Sequence, residues 1–447
     1  MTYQRVTSMT TRGSEIFAKD FREQPYWWRA ATPISDVFSG RVPEKAEVVI
    51  VGGGITGLVA ALDLQRGGAE VIIVDSQNIG EGAARRNAGF LGRTLKRSVE
   101  WIAGREGQKQ AIKVYRELDS ALHCVRTVVL EENIDCYHNI CGRLVSANSP
   151  EHLRGLVHDL ESMKRHLGFD YSVLNKHEMS KEIASDRFYG AAVLPDLGSI
   201  HPGLYHAGLM TKVIDAGVRL FNNTAVTGIE TSNRGKVVRT TRGDIKAAHV
   251  VVATNGYTSK DLSWHARRVI PFKGFVIATD LLPSELIDRV LPNKRTYLDT
   301  KMNIDFIRPA PDSNRILFGG MTGTNCETGT EMAASLYDRM ISILPDLKGV
   351  KLSHAWTGNC AGTFDFMPHL GLNDGVHYAL GYNFAGIPLG TRFGKIVASR
   401  ILGRGEQGSV FDVAKFPSIP LYRGSPWFVP LAMKYFDWHD KRIANHR

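Results

Sequence analysis

The fold of this chain is decided by the stretch Val48-Val49-Ile50-Val51-Gly52-Gly53-Gly54-Ile55-Thr56-Gly57-Leu58. Its first four residues are all β-branched, which predicts a strand buried on both faces. Glycines follow in the pattern Gly52-x-Gly54-x-x-Gly57, and the apolar residues after them have helical spacing. Gly52 permits a tight turn, Gly54 lets the backbone approach a pyrophosphate, and Gly57 lets helix and strand pack closely. The stretch therefore predicts a bound dinucleotide, with its phosphates at the helix start formed by Ile55 and Thr56.

A second strand carries the acid that accompanies such a turn. The run Val71-Ile72-Ile73-Val74 ends in Asp75 and Ser76, and Asp75 follows Gly57 by eighteen residues. A carboxylate at this place accepts hydrogen bonds from a ribose and repels a 2′-phosphate. We therefore predict that Asp75 and Ser76 contact the nucleotide. A purely structural glycine turn is the alternative.

The composition is that of a globular protein with an excess of positive charge. Of the 447 residues, 43% are apolar and 22% are charged, and this length predicts two intertwined domains. The net charge is 55 − 45 = +10. Because no basic–aromatic repeat or nucleic-acid motif accompanies the charge, we expect a small anionic ligand and no nucleic acid. Charge that serves solubility alone explains the excess equally well.

The sequence carries no sign of export or of membrane insertion. Its N-terminus lacks a basic flank followed by an apolar core, and the longest apolar run, Val48–Leu62, is too short to cross a bilayer. Cysteines at positions 124, 136, 141, 326 and 360 form neither a C-x-x-C nor a metal-like pattern. Such a scattered, odd set is typical of reduced thiols, so we expect a cytoplasmic protein.

A loop rich in small residues follows the acid, between Gly80 and Leu91. Small side chains let such a loop run closely along a flat ligand, with an asparagine and backbone N–H groups as donors. A tight surface loop is the alternative. The predicted contacts come from Gly82, Ala83, Arg86, Asn87, Ala88, Gly89 and Leu91.

Later segments return the chain to the nucleotide site. A strand that begins near Val226 precedes the buried strand His249–Val252, which ends in Ala253, Thr254 and Asn255. A further strand leads into a helix whose N-terminus is available to a ligand, with the residues Gly386, Ile387, Pro388 and Leu389. Between residues 262 and 352, several short runs alternate apolar and polar residues, which predicts an antiparallel sheet at the substrate.

The predicted fold class is α/β, with a Rossmann-like dinucleotide-binding domain interleaved with an antiparallel-sheet substrate domain. The nucleotide domain comprises residues 46–100, 196–260 and 355–404, and the substrate domain comprises 101–195 and 261–354. An N-terminal arm over residues 1–45 and a tail over 405–447 complete the chain. We expect the basic–aromatic tail to pack on the protein's own surface, with membrane contact as the alternative.

Together these motifs resemble the D-amino-acid oxidase superfamily of flavoproteins, in the branch of glycine, sarcosine and gamma-glutamylputrescine oxidases. The segments that carry the resemblance are Val49 to Asp75, Gly80 to Gly89, Val250 to Thr258 and Trp356 to Gly403. The resemblance implies a glutathione-reductase-type nucleotide domain that binds FAD and a cofactor contact from Gly358. The residues give a second argument for FAD. The sequence contains one dinucleotide fingerprint and no C-x-x-C, and a single bound redox dinucleotide suits FAD better than a nicotinamide cofactor.

Two departures from the family bear on the flavin. Between Gly80 and Gly89 there is no histidine, and Cys360 lies about two residues from the position of the flavin-linked cysteine of sarcosine oxidases. We therefore expect non-covalent FAD. The lysine that activates oxygen in sarcosine oxidases falls near Leu317, which puts fast use of oxygen in doubt.

The resemblance implies oxidation of a C–N bond in a small, anionic and secondary amine or an amino acid. The imine then hydrolyses to a carbonyl and an amine, with O2 as acceptor and H2O2 as product. The flavin carries the chemistry, so no side chain is predicted as certainly catalytic. The candidate substrate contacts are Arg308, which suits a carboxylate, Lys273 and Tyr382. A surface ion pair, a solvated lysine and a packed tyrosine are the respective alternatives.

Two other functions remain open from the sequence. One is a dehydrogenase of the same fold that passes electrons to a quinone or a carrier protein. The other is a non-catalytic FAD-binding subunit of a complex. The oligomeric state, monomer or dimer, is open as well.

Overall fold

Two large β-sheets organise the chain in the computed structural model, which describes residues 15–35, 40–93, 95–233, 235–405, 408–413 and 415–445. The strands are β1 Phe17–Arg22, β2 Lys45–Val51, β3 Val71–Val74, β4 Phe90–Leu91, β5 Arg143–Ala147, β6 Ser172–Asn175, β7 Gly190–Leu194, β8 Gly198–Ser199, β9 Arg219–Phe221, β10 Val226–Ser232, β11 Gly235–Thr240, β12 Gly243–Val252, β13 Ile270–Thr279, β14 Thr296–Asp299, β15 Phe306–Pro309, β16 Ile316–Gly320, β17 Leu352–Gly362, β18 His369–Asn373 and β19 Val376–Leu380.

The helices surround these sheets. They are α1 Ile55–Arg66, α2 Val99–Glu106, α3 Gln108–Glu131, α4 Pro150–Leu167, α5 Pro202–Asp215, α6 Ser263–Ala266, α7 Ser284–Val290, α8 Gly329–Ile343, α9 Gly386–Ile401 and α10 Val429–Asn445. Within the described ranges, none of them has both the length and the apolar character that crossing a bilayer requires.

The first sheet is built around β2, the strand predicted from Val48–Val51. It pairs in parallel with β3 and β12, while β9 and β19 extend the parallel arrangement on either side. Val48 and Ile50 pack against the helices α1, α5 and α9, whereas Val49 and Val51 pack into a core on the other face. A strand with both faces covered needs apolar residues at every position, which explains the uninterrupted β-branched run.

The second sheet has the strand order β1-β17-β13-β16-β15-β14-β5-β7-β6. Most neighbours are antiparallel, as the alternating runs predicted, but β1 pairs in parallel with β17 and β14 pairs in parallel with β5. The sheet is therefore mixed. Parallel neighbours require a long connection between them. In both pairs, β1 with β17 and β5 with β14, the two strands lie far apart in the chain.

Strand pairing shifts some of the predicted domain limits. The limits at 45/46 and 354/355 fall inside β2 and β17 respectively. Residues 355–362 pair with β13 and therefore belong to the second sheet, and part of the N-terminal arm forms the edge strand β1. The other predicted limits stay a proposal, and residues 1–14 of the arm lie outside the described residues.

Candidate active site

A cavity of about 590 Å³ is lined by residues from both sheets. The first sheet contributes the glycine turn after β2 and the ends of β3 and β12, and the loop 80–92 runs along it. The second sheet contributes residues of β13, β15 and β17, and helix α10 adds a further wall. The predicted nucleotide site and the predicted substrate sheet thus share one cavity.

The three fingerprint glycines meet different surroundings. Gly52 has φ +107°, and a Cβ there would stand 2.9 Å from the Ala253 carbonyl oxygen. A Cβ on Gly57 would stand 2.0 Å from the carbonyl oxygen of Gly52, so this glycine lies at the helix–strand contact and does not line the cavity. A Cβ on Gly54 would meet no protein atom within 4 Å. Gly54 therefore leaves space in the cavity for a ligand.

Asp75 lies at the end of β3, beside this turn. Its Oδ2 accepts a hydrogen bond from the Gly53 N–H at 2.8 Å, and its Oδ1 accepts one from the Gln77 N–H at 3.0 Å. Burial raises the pKa of Asp75, and the two backbone N–H groups oppose that shift. The carboxylate keeps further lone pairs on the cavity side, where they can accept ribose hydroxyl groups.

Two helix N-termini open into the cavity. The N-cap residues, Gly54 of α1 and Ala385 of α9, provide no side-chain cap, and neither first turn contains an acidic residue. Their first N–H groups are therefore available to an anion, whose charge the helix dipoles favour. The residues of these two turns that line the cavity are Ile55, Thr56, Gly386, Ile387 and Pro388.

The loop between Gly80 and Leu91 is held by its own side chains. Asn87 Nδ2 donates to the carbonyl oxygens of Ala83 and Ala84, both at 3.0 Å, and its Oδ1 accepts from the Gly89 N–H at 2.8 Å. Arg86 Nη1 donates to the Thr357 carbonyl oxygen at 2.9 Å. The predicted role of Asn87 as a donor to the ligand is therefore not supported, because its amide N–H groups already bind the loop.

A buried pair that the sequence analysis missed supports the glycine turn from behind. Arg85 Nε donates to His206 Nδ1 at 2.9 Å, and His206 Nε2 lies 2.8 Å from the Gly53 carbonyl oxygen. Burial and the neighbouring guanidinium lower the pKa of His206 to about 3, so the ring is neutral and its Nε2 carries the proton that Gly53 accepts. No pattern in the sequence connects residues so far apart.

Most of the predicted cofactor residues line the cavity, but two side chains lie elsewhere. Leu91 is fully buried in β4, and Leu389 is fully buried in the core beneath α9. Both predictions are corrected, because these two side chains pack into the core, whereas the preceding residues Phe90 and Pro388 line the cavity. The remaining predicted residues that line it are Gly52, Ser76, Gly82, Ala83, Arg86, Asn87, Ala88, Gly89, Val226, Ala253, Thr254, Asn255 and Gly358.

The structure does not support Arg308 as the substrate anchor. Its Nη1 donates to the carbonyl oxygens of Ala88, Gly89 and Ile200 at 2.9, 3.1 and 2.9 Å, and its side chain does not line the cavity. Burial lowers the pKa of Arg308 to about 10. The guanidinium therefore ties the loop around Gly89 to β15 and lies outside the cavity in which a substrate would bind.

The other two predicted substrate contacts also have protein partners. Lys273 Nζ forms an ion pair with Glu327 and does not line the cavity, because its position on β13 directs the side chain to the other face. Tyr382 lines the cavity, but its hydroxyl lies 2.6 Å from Thr56 Oγ1 and donates to the Ala379 carbonyl oxygen at 3.1 Å. Tyr382 thus lies at the glycine turn, where it contacts the cofactor end of the cavity.

Among the described residues, the cations that line the cavity are Arg86, Lys96 and Arg143, and we take Lys96 in place of these candidates. It lines the cavity, and its ammonium group donates to the Met302 carbonyl oxygen. Burial lowers the pKa of Lys96, while Asp440 and Asp299 partly offset that effect. Its place shortly after the small-residue loop was the available signal, but the sequence favoured Arg308. Among the described residues that line the cavity, the acidic one is Asp75, at the nucleotide end.

These features fit FAD. The open space beside Gly54 and the two uncapped helix N-termini suit a pyrophosphate, and Asp75 suits a ribose. The family model described as FAD dependent oxidoreductase (DAO) matches residues 47–400. The chain therefore belongs to the DAO family of FAD-dependent oxidoreductases, and FAD is its cofactor. The predicted fold class and cofactor are confirmed.

Two relatives are similar over most of their length. Gamma-glutamylputrescine oxidoreductase of Escherichia coli (strain K12) is 29% identical over 400 residues, which cover 88% of this chain and 93% of that protein. Glycine oxidase of Geobacillus kaustophilus (strain HTA426) is 27% identical over 392 residues, which cover 83% of this chain and 96% of that protein.

Solved structures share the fold. The crystal structure of glycine oxidase from Geobacillus kaustophilus has a TM-score of 0.71 at 24% identity, covering 85% of this chain and 99% of that chain. The crystal structure of L-proline dehydrogenase from P. horikoshii has a TM-score of 0.68 at 19% identity, covering 88% of this chain and 99% of that chain. These likenesses show the fold and leave the substrate and the electron acceptor open.

Proposed function

We propose that this enzyme oxidises the C–N bond of a small amine or amino acid that carries an anionic group. The names of the relatives support an amine substrate, since one refers to gamma-glutamylputrescine and the other to glycine. The imine product then takes up water and separates into a carbonyl compound and an amine. A secondary amine fits this chemistry as well as a primary one.

The observation that carries the anionic substrate is the position of Lys96. Its side chain lines a largely apolar cavity, and its ammonium group uses one N–H toward the Met302 carbonyl oxygen, which leaves donors for a ligand. Such a charge, removed from water, attracts a carboxylate more strongly than a surface lysine does. We assign substrate binding to Lys96 in place of Arg308 and Lys273.

The cofactor supplies the redox chemistry when bound, by accepting a hydride equivalent from the carbon beside the substrate nitrogen. The residues of the chain bind and orient. The turn at Gly54 and the start of α9 would hold the pyrophosphate, Asp75 would hold the ribose, and Lys96 would orient the substrate's anionic group. A substrate amine that binds neutral needs no side-chain base, so we assign none.

We propose O2 as the electron acceptor, with H2O2 as the product, because the glycine oxidase relative is named as an oxidase. The resemblance puts the oxygen-activating lysine of sarcosine oxidases near Leu317, an apolar and fully buried residue, so oxygen use needs another group. Peroxide formation in air tests this acceptor. A slow reaction with O2 and a fast one with a quinone would favour the dehydrogenase alternative.

We further propose that FAD is bound without a covalent bond and that the enzyme acts in the cytoplasm. Burial raises the pKa of the Cys360 thiol to about 12, so this cysteine stays protonated and is a poor nucleophile toward the flavin. The five cysteines are unpaired, which suits a reducing compartment. Release of all flavin on acid precipitation tests the first point.

Substitution of Lys96→Met tests the proposed function. With FAD bound, we expect KM for N-methyl amino acids and gamma-glutamyl amines to rise by about tenfold or more, because the charge that binds the anion is lost. Anaerobic bleaching of the flavin measures the reaction without an acceptor. Lys273→Met is the matched control, since it removes an ion pair outside the cavity and leaves KM unchanged.

Equal KM values in Lys96→Met and in the wild type would remove Lys96 from the substrate site. The absence of bleaching by every amine in the wild-type protein would favour the non-catalytic alternative.

A further inference from the structure

We propose that helix α10 (Val429–Asn445) forms the wall that limits substrate length, with Met433 and Phe436 as the specificity-determining residues. The proposal rests on the proposed function in one respect, namely that the cavity takes a small amine with an anionic group. It adds that the same substrate carries an apolar arm. The aromatic residues Phe364, Phe366 and Phe428 line the same cavity and suit such an arm, and the ring of Phe364 lies 6.3 Å from that of Phe428, which directly precedes α10.

The two faces of α10 differ. Val429, Ala432, Met433 and Phe436 line the cavity, and their spacing of three or four residues places them on one side of the helix. Leu431, Tyr435 and Trp438 face outward and are 63%, 57% and 53% exposed. Only the first face of the helix can therefore contact a substrate, and the second face offers control positions on the same element.

Close packing fixes how far the helix approaches the cavity. A Cβ on Gly323 would stand 2.6 Å from Met433 Cγ and 2.9 Å from Val429 Cγ1. Gly323 follows β16, and its N–H donates to the Lys273 carbonyl oxygen at 2.7 Å. The helix thus rests directly on the backbone of the second sheet, because a glycine lies beneath it.

The C-terminal half of α10 is bound to the loop that also holds Lys96. Both carboxylate oxygens of Asp440 accept a hydrogen bond from the Met302 N–H at 3.0 Å, and Oδ2 accepts another from the Asn303 N–H at 3.3 Å. The carbonyl oxygen of Met302 accepts from Lys96. One short loop therefore sets the position of the wall relative to the cation that binds the anionic group.

This wall lies outside the part of the chain that the family model matches, which ends at residue 400. A specificity element there can change without altering the cofactor site. We therefore expect the length limit to be a property of this chain's tail rather than of the family fold.

Binding of straight-chain carboxylates, from acetate to octanoate, tests the proposal through the perturbation of the flavin absorbance. Ala432→Trp should weaken octanoate binding by about tenfold or more and acetate binding by less than about twofold, because the indole fills the space at the wall. Phe436→Ala should shift the preference to longer chains. Leu431→Trp, the same new side chain on the outward face, should leave the profile unchanged.

An Ala432→Trp protein that binds FAD and shows the wild-type length profile would overturn the proposal. If no carboxylate perturbs the wild-type spectrum, the proposal of an anionic substrate is wrong. Acrylamide quenching of the flavin fluorescence then tests independently whether α10 forms a wall of the cavity. The double variant Met433→Ala/Phe436→Ala should increase quenching by about twofold or more, whereas Leu431→Ala/Trp438→Ala should not. Equal quenching in the two double variants would refute the role of α10.

Discussion

At the scale of the residue, Gly54 and Gly57 of the same motif have different structural roles. The Cβ position of Gly54 points into open space, and the φ of −78° and ψ of −174° at this residue suit any amino acid. A Cβ on Gly57 would stand only 2.0 Å from the carbonyl oxygen of Gly52 and clash with it. The first glycine therefore makes room for the ligand, and the second makes room for the protein itself.

Gly54→Val should abolish FAD binding and leave the folded apoprotein intact, because its side chain occupies the space for the pyrophosphate without meeting protein atoms. The ratio of flavin to protein absorbance and a thermal melt of the apoprotein measure the two effects. Gly57→Val should lower the melting temperature as well. A yellow Gly54→Val protein with a full complement of FAD would contradict the placement of the pyrophosphate.

Arg308→Ala should lower the free energy of unfolding by about 3 kcal/mol, because three buried carbonyl oxygens lose a charged donor. It should also weaken FAD binding, since Ala88 and Gly89 line the cavity. At saturating FAD, the KM for acidic amines should change by less than about threefold.

Arg315→Ala is the matched control for this variant. Arg315 is equally buried and binds Thr279 and Asp280, away from the cofactor loop, so its loss should lower stability without affecting FAD. If Arg308→Ala kept full stability and raised KM tenfold, Arg308 would be the anchor after all.

At the scale of the element, α1 and α9 bring their N-termini to one cavity by packing closely against each other. A Cβ on Gly394 would stand 2.8 Å from the Thr56 carbonyl oxygen, 2.9 Å from Val59 Cβ and 3.0 Å from the Ala60 N. The helices can approach this far because α9 has a glycine at the crossing. The distance between the two N-termini, and hence the shape of the anion site, depends on it.

Gly394→Ala should therefore destabilise the protein by about 2 kcal/mol and weaken FAD binding, because α9 must move away from α1. Urea denaturation and titration of the apoprotein with FAD measure the two effects. Gly104→Ala in α2, where a Cβ meets nothing within 4 Å, should change stability by at most about 1 kcal/mol, in the favourable direction. Similar losses in both variants would mean that helix propensity, not packing, governs the effect.

At the scale of the whole molecule, several histidines are held neutral inside the fold. Burial lowers the pKa of each to about 4, for His201, His265, His354 and His377. In the unfolded chain these groups have a pKa near 6.5. As the pH falls from about 6.5 to 4, the unfolded chain takes up protons that the folded protein does not, so stability decreases.

We expect the melting temperature to fall steadily between pH 7 and pH 5. Each neutral histidine contributes at most about 1.4 kcal/mol per pH unit over this range. His265→Phe, at a site packed among Trp264 and Tyr378, should flatten the slope by about that amount. A slope that is the same in this variant and in the wild type would show that His265 titrates normally.

Local sequence patterns were sufficient to predict the nucleotide half of the molecule. Val48–Val51, the glycines after them and Asp75 form a local unit in which strand, turn and helix follow from neighbouring residues. The sequence also predicted that α9 begins near the ligand, because a strand leads into this helix and leaves its N-terminus available. Short-range periodicity and backbone geometry carry this information, and both are visible in a single chain.

The arrangement of the substrate half depends instead on contacts between distant residues. Arg308 and Lys96 are both cations beside apolar residues in the sequence, but one meets three carbonyl oxygens and the other lines the cavity. Likewise, α10 turns one face to the cavity because Gly323 and the Met302–Asn303 loop receive it. Which side chain faces a ligand depends on contacts between residues far apart in the chain, and no local pattern records those contacts.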